Sequence, residues 1–235
     1  RVTTFDLEAD LHDALAKMGT DYIDLYMLHR DDVTVPVEPL MDTFNKYFDE
    51  GKIRAIGVSN WTTARIEEAN NYAAKHGLEP ISASSPNYSL AEQYCEPWAP
   101  GCVTISGPQN ESEREWYAAN QMPVLAYSSM ARGLFSGRIT REMWENKSPE
   151  IDPVCMKAYC GESNFKRLER AEQLAKEKGV TIPQIAMAFI LCGPMNVFPI
   201  IGAANRQEME SSIGALNVKL TPQEILWLDL KTDER

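Results

Sequence analysis

The chain has 235 residues, 44% of them hydrophobic and 24% charged, the make-up of an ordinary globular protein. Lys and Arg total 23 against 34 Asp and Glu, so the formal net charge is −11, and a general binder of nucleic acid or of an anionic membrane carries the opposite balance. No run approaches the ~18 apolar residues of a spanning helix, the N-terminus lacks an apolar signal core, and the cysteines (Cys95, Cys102, Cys155, Cys160, Cys192) show no C-x-x-C spacing. The expectation is a cytoplasmic protein with reduced thiols, no nucleic-acid or membrane partner and no metal site.

In chain order, Asp6 to Met18 places Leu7, Leu11, Ala14, Leu15 and Met18 on one helical face, with Gly19 as the stop. Tyr22 to Leu28 reads as a strand and ends abruptly at the polar run His29-Arg30-Asp31-Asp32. A second helix carries Val37, Leu40, Met41, Phe44 and Phe48, and a second strand, Ile53 to Val58, ends at Ser59-Asn60. The alternation continues with a helix from Thr62 to His76, a weaker strand around Pro80 to Ala83 ending in Ser84-Ser85, a helix from Glu111 to Asn120, and a strand from Pro123 to Tyr127. Beyond Arg138 to Ser163, a long connection, the spacing of Phe165, Leu168, Ala171, Leu174 and Ala175 predicts a helix, and Thr181-Ile182-Pro183 opens the next. Val197 to Ile201 is the fifth strand, followed by helices near 206–216 and from the capping box Thr221-Pro222-Gln223-Glu224 to about Leu230.

Five strand-then-helix units predict an α/β fold of parallel strands. A doubly wound dinucleotide-binding sheet would carry G-x-G-x-x-G after its first strand, and no such run exists here, nor is there a phosphate loop of the G-x-x-x-x-G-K-[ST] type, which favours a (β/α)8 barrel of the TIM type. In such a barrel the polar strand ends, His29, Ser59, Asn60, Ser84, Ser85, Tyr127, Ser128 and Gly202, gather at the C-terminal mouth. Five strands make that barrel incomplete.

The runs Tyr22-Ile-Asp-Leu-Tyr-Met-Leu-His29, Gly51-Lys-Ile-Arg-Ala-Ile-Gly-Val-Ser-Asn60, Ala126-Tyr-Ser-Ser-Met-Ala-Arg-Gly133 and Pro199-Ile-Ile-Gly-Ala203, in that order and spacing, resemble the aldo-keto reductase family. The resemblance covers essentially residues 1–235 as a single partial barrel domain, five of eight β/α units with the C-terminal helices. It implies roughly ninety further residues upstream, and Arg1 as the first residue agrees with a chain that does not begin at a translation start. The chemistry it implies is hydride transfer from a nicotinamide cofactor, usually NADPH, with NADH as the alternative, to an aldehyde or ketone.

By the same resemblance His29 corresponds to the His that donates to the substrate carbonyl, a role worth roughly 3 kcal/mol by analogy with oxyanion donors. Ser59 and Asn60 correspond to the pair on the nicotinamide carboxamide, and Tyr127 to the aromatic on which the ring stacks. Ser128, Arg132 and Gly133 fall in the pyrophosphate loop, and Gly202, Ala203, Asn205 and Arg206 at the adenosine phosphate end. The family's Asp, Tyr and Lys belong to upstream units, so no Tyr here takes the acid role by motif. A Gln often found after the family's sixth strand is replaced near Ser85, and Asn205, Glu208 and Ser212 stand where many members have Arg, Gln and Asn, which leaves the choice of cofactor open.

Plainer readings stand beside these: a helix N-cap for Ser59-Asn60, a core aromatic for Tyr127, a surface ion pair for Arg132, and solvated helix positions for His12 and His76. The 138–163 connection reads as a partial cover over the cofactor cleft, or else as an insertion without order, with Cys155 and Cys160 as spectators rather than a redox pair. Three functions remain: an NAD(P)H-dependent carbonyl reductase in its complete form, a nucleotide-binding or interaction protein without the proton donor, or an interrupted gene product. Standing alone, the open sheet edges favour self-association and the missing acid predicts little or no turnover.

Overall fold

The computed structural model describes residues 2–98 and 100–235. They form two compact units that divide between Pro86 and Asn87.

In the first unit α1 (Thr4–Met18), β1 (Tyr26–Leu28), α2 (Val37–Asp49), β2 (Ile56–Ser59), α3 (Thr63–His76) and β3 (Ile81–Ser85) alternate as expected. Thr3 opens α1 with a capping box, its hydroxyl accepting from the Asp6 N–H while the Asp6 carboxylate accepts from Thr3. Leu7, Leu11 and Leu15 on α1, Leu40, Met41 and Phe44 on α2, and Ile66, Ala69 and Ala73 on α3 form the buried stripes, whereas Met18 in the last turn of α1 is 57% exposed. On α2 it is Tyr47 rather than Phe48 that is buried.

β1 pairs with β2 and β2 with β3, all parallel and in sequence order, with no reversal of the kind a doubly wound sheet has. Strand β1 is shorter than its apolar run because the ladder is interrupted: Ile23 bridges Ile53, the exposed Asp24 turns out to meet Arg54 at 3.0 Å, and regular pairing resumes at Tyr26. Gly57 is required by the register opposite Met27, since a Cβ there would stand 2.7 Å from the Met27 side chain.

The second unit holds α4 (Glu111–Asn120), β4 (Val124–Ala126), α5 (Arg141–Glu145), α6 (Pro153–Ala158), α7 (Glu162–Lys178), α8 (Ile182–Leu191), β5 (Val197–Pro199), α9 (Arg206–Gly214) and α10 (Pro222–Leu228). β4 and β5 pair in parallel, Val124 with Val197 and Ala126 with Pro199. The anticipated capping box of α10 is present, and α8 opens with a second one between Thr181 and Gln184.

The 138–163 connection is ordered rather than an irregular insertion. Asp152 caps α6, Trp144 stacks on Phe165 with ring centroids 4.8 Å apart, and Ile151, Cys155, Ala158 and Tyr159 are buried. Helices of five and six residues are too short to show the apolar period by which longer helices are read. Ala99, within the earlier 92–110 connection, lies outside the described residues.

Candidate functional site

In the first unit three strand ends are stitched together. The Ser59 hydroxyl donates to the Ser85 carbonyl at 2.8 Å, and the Asn60 N–H reaches the same oxygen at 3.3 Å. The Asn60 side-chain NH2 donates to the His29 carbonyl at 3.1 Å and to Ser59 Oγ at 3.1 Å. Asn60 adopts φ 60, the left-handed region that Asn tolerates better than most residues. Ser59 and Asn60 are buried while His29 is exposed, so a turn held by main-chain contacts presents the imidazole outward. The N-cap of α3 is Thr62, whose hydroxyl accepts from Arg65, and Ser59-Asn60 does not serve as that cap.

Next to this turn, Asp31 and Arg65 pair at 3.3 Å with both side chains largely buried, and the Arg65 guanidinium lies over the Trp61 ring. Burial lifts the Asp31 carboxyl above its ordinary value in spite of the adjacent guanidinium. His12 and His76 are exposed on their helices, as expected, each against a Tyr ring.

In the second unit the chain leaves β4 through a run of left-handed residues, Ser128 (φ 50), Ala131 (φ 48), Arg132 (φ 55) and Gly133 (φ 92). Three of these are not Gly, and such strain gathers at ligand clamps. Ser129 Oγ donates to the Ile200 carbonyl at 2.8 Å, and the Ile200 N–H to Ala126 at 2.8 Å, tying this loop to the end of β5. Between them lies a cleft of about 390 Å3 lined by Ser128, Arg132, Gly202 and Ser212, among others.

Arg132 meets Asp152 at 3.2 Å and lies over Trp98, 5.7 Å from its ring centre. Burial acts upward on the Asp152 carboxyl, but the Cys155 amide and the Arg132 charge outweigh it and hold the group below its usual range. At the start of α9, Asn205 accepts from the Glu208 N–H at 2.9 Å, and the Glu208 carboxylate takes the Ala204 N–H at 2.9 Å. Arg206 pairs with Glu210 on the surface at 2.6 Å.

Of the residues singled out in the sequence, His29, Ser59 and Asn60 come together in one cluster, and Ser128, Arg132 and Gly202 in one cleft. Tyr127, Gly133, Ala203, Asn205 and Arg206 are not in that cleft's lining. The Tyr127 ring is half-buried against Trp98, and its hydroxyl donates to Val103 at 3.4 Å.

Sequence reasoning missed what lies beneath Tyr127. Asn87, wholly buried, donates to the Tyr127 carbonyl at 3.3 Å and to the Tyr159 hydroxyl at 3.1 Å, and accepts from Thr104 at 2.8 Å. Burial pushes the Tyr159 hydroxyl up to about 12, so it stays protonated and donates to Gln93 at 3.3 Å. The available signal was an Asn directly after a strand-end Ser-Ser-Pro, whose partners are too distant in sequence to read from spacing.

A second cavity, about 240 Å3 and lined by Arg114, Phe189, Met195 and Ile225, contains none of the residues singled out. Among the described residues there is no cluster of potential metal ligands, and no helix is long and apolar enough to cross a membrane.

A family model described as "Aldo/keto reductase family" matches residues 1–231. The chain is 30% identical over 213 residues to Probable aldo-keto reductase 1 of Glycine max, covering 90% of this chain and 55% of that protein. It is 29% identical to the aldo-keto reductase YhdN of Bacillus subtilis, covering 86% and 56%, and 25% identical to the probable aryl-alcohol dehydrogenase AAD4 of Saccharomyces cerevisiae, covering 95% and 64%. The chain thus spans somewhat more than half the length of the curated relatives it matches. A crystal structure of a thermostable aldo-keto reductase with the inhibitor epalrestat superposes with a TM-score of 0.72 at 24% identity, covering 97% of this chain and 67% of that one. The likeness carries the fold, α/β with parallel strands and of the (β/α)8 type, with five strand-helix units among the described residues.

Proposed function

The chain belongs to the aldo/keto reductase family, and on that premise we propose that the complete protein is an NAD(P)H-dependent oxidoreductase that reduces an aldehyde or ketone. The observation that carries this reading is the pair of strand-end features: the cross-linked turn of His29, Ser59 and Asn60, and the cleft of Ser128, Arg132 and Gly202. Strand C-termini are where barrels of this kind hold their chemistry.

The residues fit a dinucleotide in kind. The cleft offers a hydroxyl, a guanidinium and a loop of left-handed residues to a pyrophosphate, a donor set suited to that anion. Ser59 and Asn60 carry the hydroxyl and amide that a carboxamide pairs with, Tyr127 the ring for stacking, and Gly133, Ala203, Asn205 and Arg206 the flanking loop and the adenosine phosphate end. Bound there, such a cofactor supplies a hydride. His29 then holds an N–H toward the carbonyl oxygen and steadies the charge that develops on it. No Tyr of residues 1–235 takes the proton-delivering role by motif, so residues 1–235 by themselves are expected to bind nucleotide without appreciable turnover.

Glu208 bears on the choice of cofactor. Its carboxylate already takes the Ala204 N–H and faces Arg138 at 3.3 Å, and Arg206 is engaged by Glu210. A 2′-phosphate must displace those partners, so NADPH is expected to bind no more than about tenfold more tightly than NADH. A cytoplasmic location, a small carbonyl substrate and self-association complete the reading; exposed Phe198 and Ile200 at β5 supply apolar surface for the last.

The test is cofactor titration and aldehyde-dependent NADPH oxidation by the full-length protein, beside residues 1–235 alone. The reading expects binding by both, turnover by the first, and a loss of roughly a hundredfold in kcat with His29→Ala. Binding without turnover by the full-length protein favours a nucleotide-binding role. No binding by either overturns the proposal.

A further inference from the structure

Two thiols in the connection between β4 and α7 take no part in the reading above. α6 closes on a turn in which the Tyr159 N–H donates to the Cys155 carbonyl at 2.9 Å and the Cys160 N–H donates to the same oxygen at 3.1 Å. The two bonds close one turn with the two cysteines at its ends and Tyr159 between them at φ −130, the kind of local closure within which the roughly 4.4–6.8 Å Cα span of a disulfide can be met.

The two thiols are also chemically unequal. Cys155 is wholly buried, with its Sγ 3.5 Å from the Ala131 carbonyl, while Cys160 is only half-buried and within reach of solvent. The neighbouring Cys160 sulfur and burial act upward on the Cys155 thiol, and the Cys155 neighbour acts downward on the Cys160 thiol. This is the pattern of an accessible attacking thiolate beside a sheltered resolving thiol.

We propose that Cys155 and Cys160 form a peroxide-oxidisable dithiol, and that closing it to a disulfide loosens the loop from Ser128 to Gly137. The Cys160 thiolate attacks one oxygen of hydrogen peroxide, the O–O bond breaks, hydroxide leaves, and Cys160 becomes a sulfenic acid. Cys155 sulfur then attacks the Cys160 sulfur, the S–O bond breaks, and water leaves with the Cys155 proton. Overall two thiols and one peroxide give one disulfide and two waters.

The same step draws Cys155 Sγ toward Cys160 and away from Ala131, inside the loop. It also strains α6, whose N-cap Asp152 holds Arg132 at 3.2 Å. That the loop receives a phosphate rests on the proposed function; the disulfide and the loosening do not.

The experiment treats the full-length protein with hydrogen peroxide, maps its peptides by mass without reduction, and follows amide exchange across 128–137. Expected are a 155–160 cross-link with the mass of two hydrogens lost, reversal by dithiothreitol, and exchange roughly tenfold faster in the oxidised form. Cys160→Ser should abolish both effects, and Cys155→Ser should leave oxidation halted at Cys160 as sulfenic or sulfinic acid. Where Cys155→Ser fails to fold, Cys160→Ser decides. Sulfinic acid at Cys160 with Cys155 still reduced in the native sequence, a cross-link through Cys95, Cys102 or Cys192, or an intact cross-link with unchanged exchange would each overturn the proposal.

Discussion

The two units hold their strand ends by different means. In the first, Ser59, Asn60, Ser85 and His29 are tied by short hydrogen bonds between residues at neighbouring strand ends, and the two polar side chains of the turn are themselves buried. In the second, the cleft is bordered by a strained loop and by charges on the surface, and a buried polar floor of Asn87, Tyr159 and Gln93 holds the main chain at Tyr127, where that loop begins. A turn made of buried hydrogen bonds is expected to be stiff, whereas a lip made of exposed ion pairs can yield to an incoming anion at little cost.

The comparison breaks most visibly at the floor. Asn87→Ala removes the donor to Tyr127 and Tyr159 and the acceptor for Thr104 in a fully buried setting, and should cost about 3 kcal/mol in urea unfolding. A loss below about 1 kcal/mol would mean that water replaces the side chain and that the floor is not what supports the loop.

Asn60 tests the stiff turn, with a smaller expected effect. Asn60→Ala loses the bonds to His29 and Ser59 and places a Cβ residue less suited to φ 60, for a cost of about 2 kcal/mol. Asn60→Gly relieves the backbone part and should recover roughly 1 kcal/mol of it. Equal losses for the two variants would locate the whole effect in the hydrogen bonds.

What was legible in the sequence follows the same division. The alternation of elements, the strand-end positions of His29, Ser59 and Asn60, and the capping box at Thr221 rest on local periodicity and on contacts three or four residues apart, and they appear where expected. Strand β1 contracted because the exposed Asp24 could not be told from an inward residue without its neighbour Arg54. The short helices α5 and α6 carry no long apolar period, and they rest on tertiary contacts: Trp144 of α5 stacks on Phe165, and Cys155 and Ala158 of α6 are buried. Asn87 was invisible as a floor because Tyr159 lies 72 residues away. Local chemistry, then, reads from a single sequence, and long-range polar pairing does not.

At the lip the stability effects shrink and the binding effects grow. Arg132→Met should change folding stability by less than about 1 kcal/mol, since the Asp152 pair is more than a third exposed on both sides. The same change should weaken cofactor binding about tenfold or more, and the loss should diminish as salt rises. A stability loss comparable to that of Asn87→Ala would show the lip to be structural after all.

The smallest effect is the most specific. Asp152 is held below its ordinary range in the folded chain, with the Cys155 amide and Arg132 overcoming the opposing effect of burial. A carboxyl whose folded pKa is lowered contributes stability that is fully present above its unfolded value, near 3.9, and lost as pH falls through the folded value. Asp152→Asn keeps a side-chain acceptor for the α6 cap while deleting the charge. The native chain should therefore exceed this variant by a few tenths of a kcal/mol at about pH 7, and the difference should disappear below about pH 3. Because the pair is exposed, added salt should erase most of the gap at neutral pH as well. A gap that persists at low pH would assign the role of Asp152 to helix capping alone and leave Arg132 unrestrained by it, which would remove the electrostatic half of the contrast between the two units.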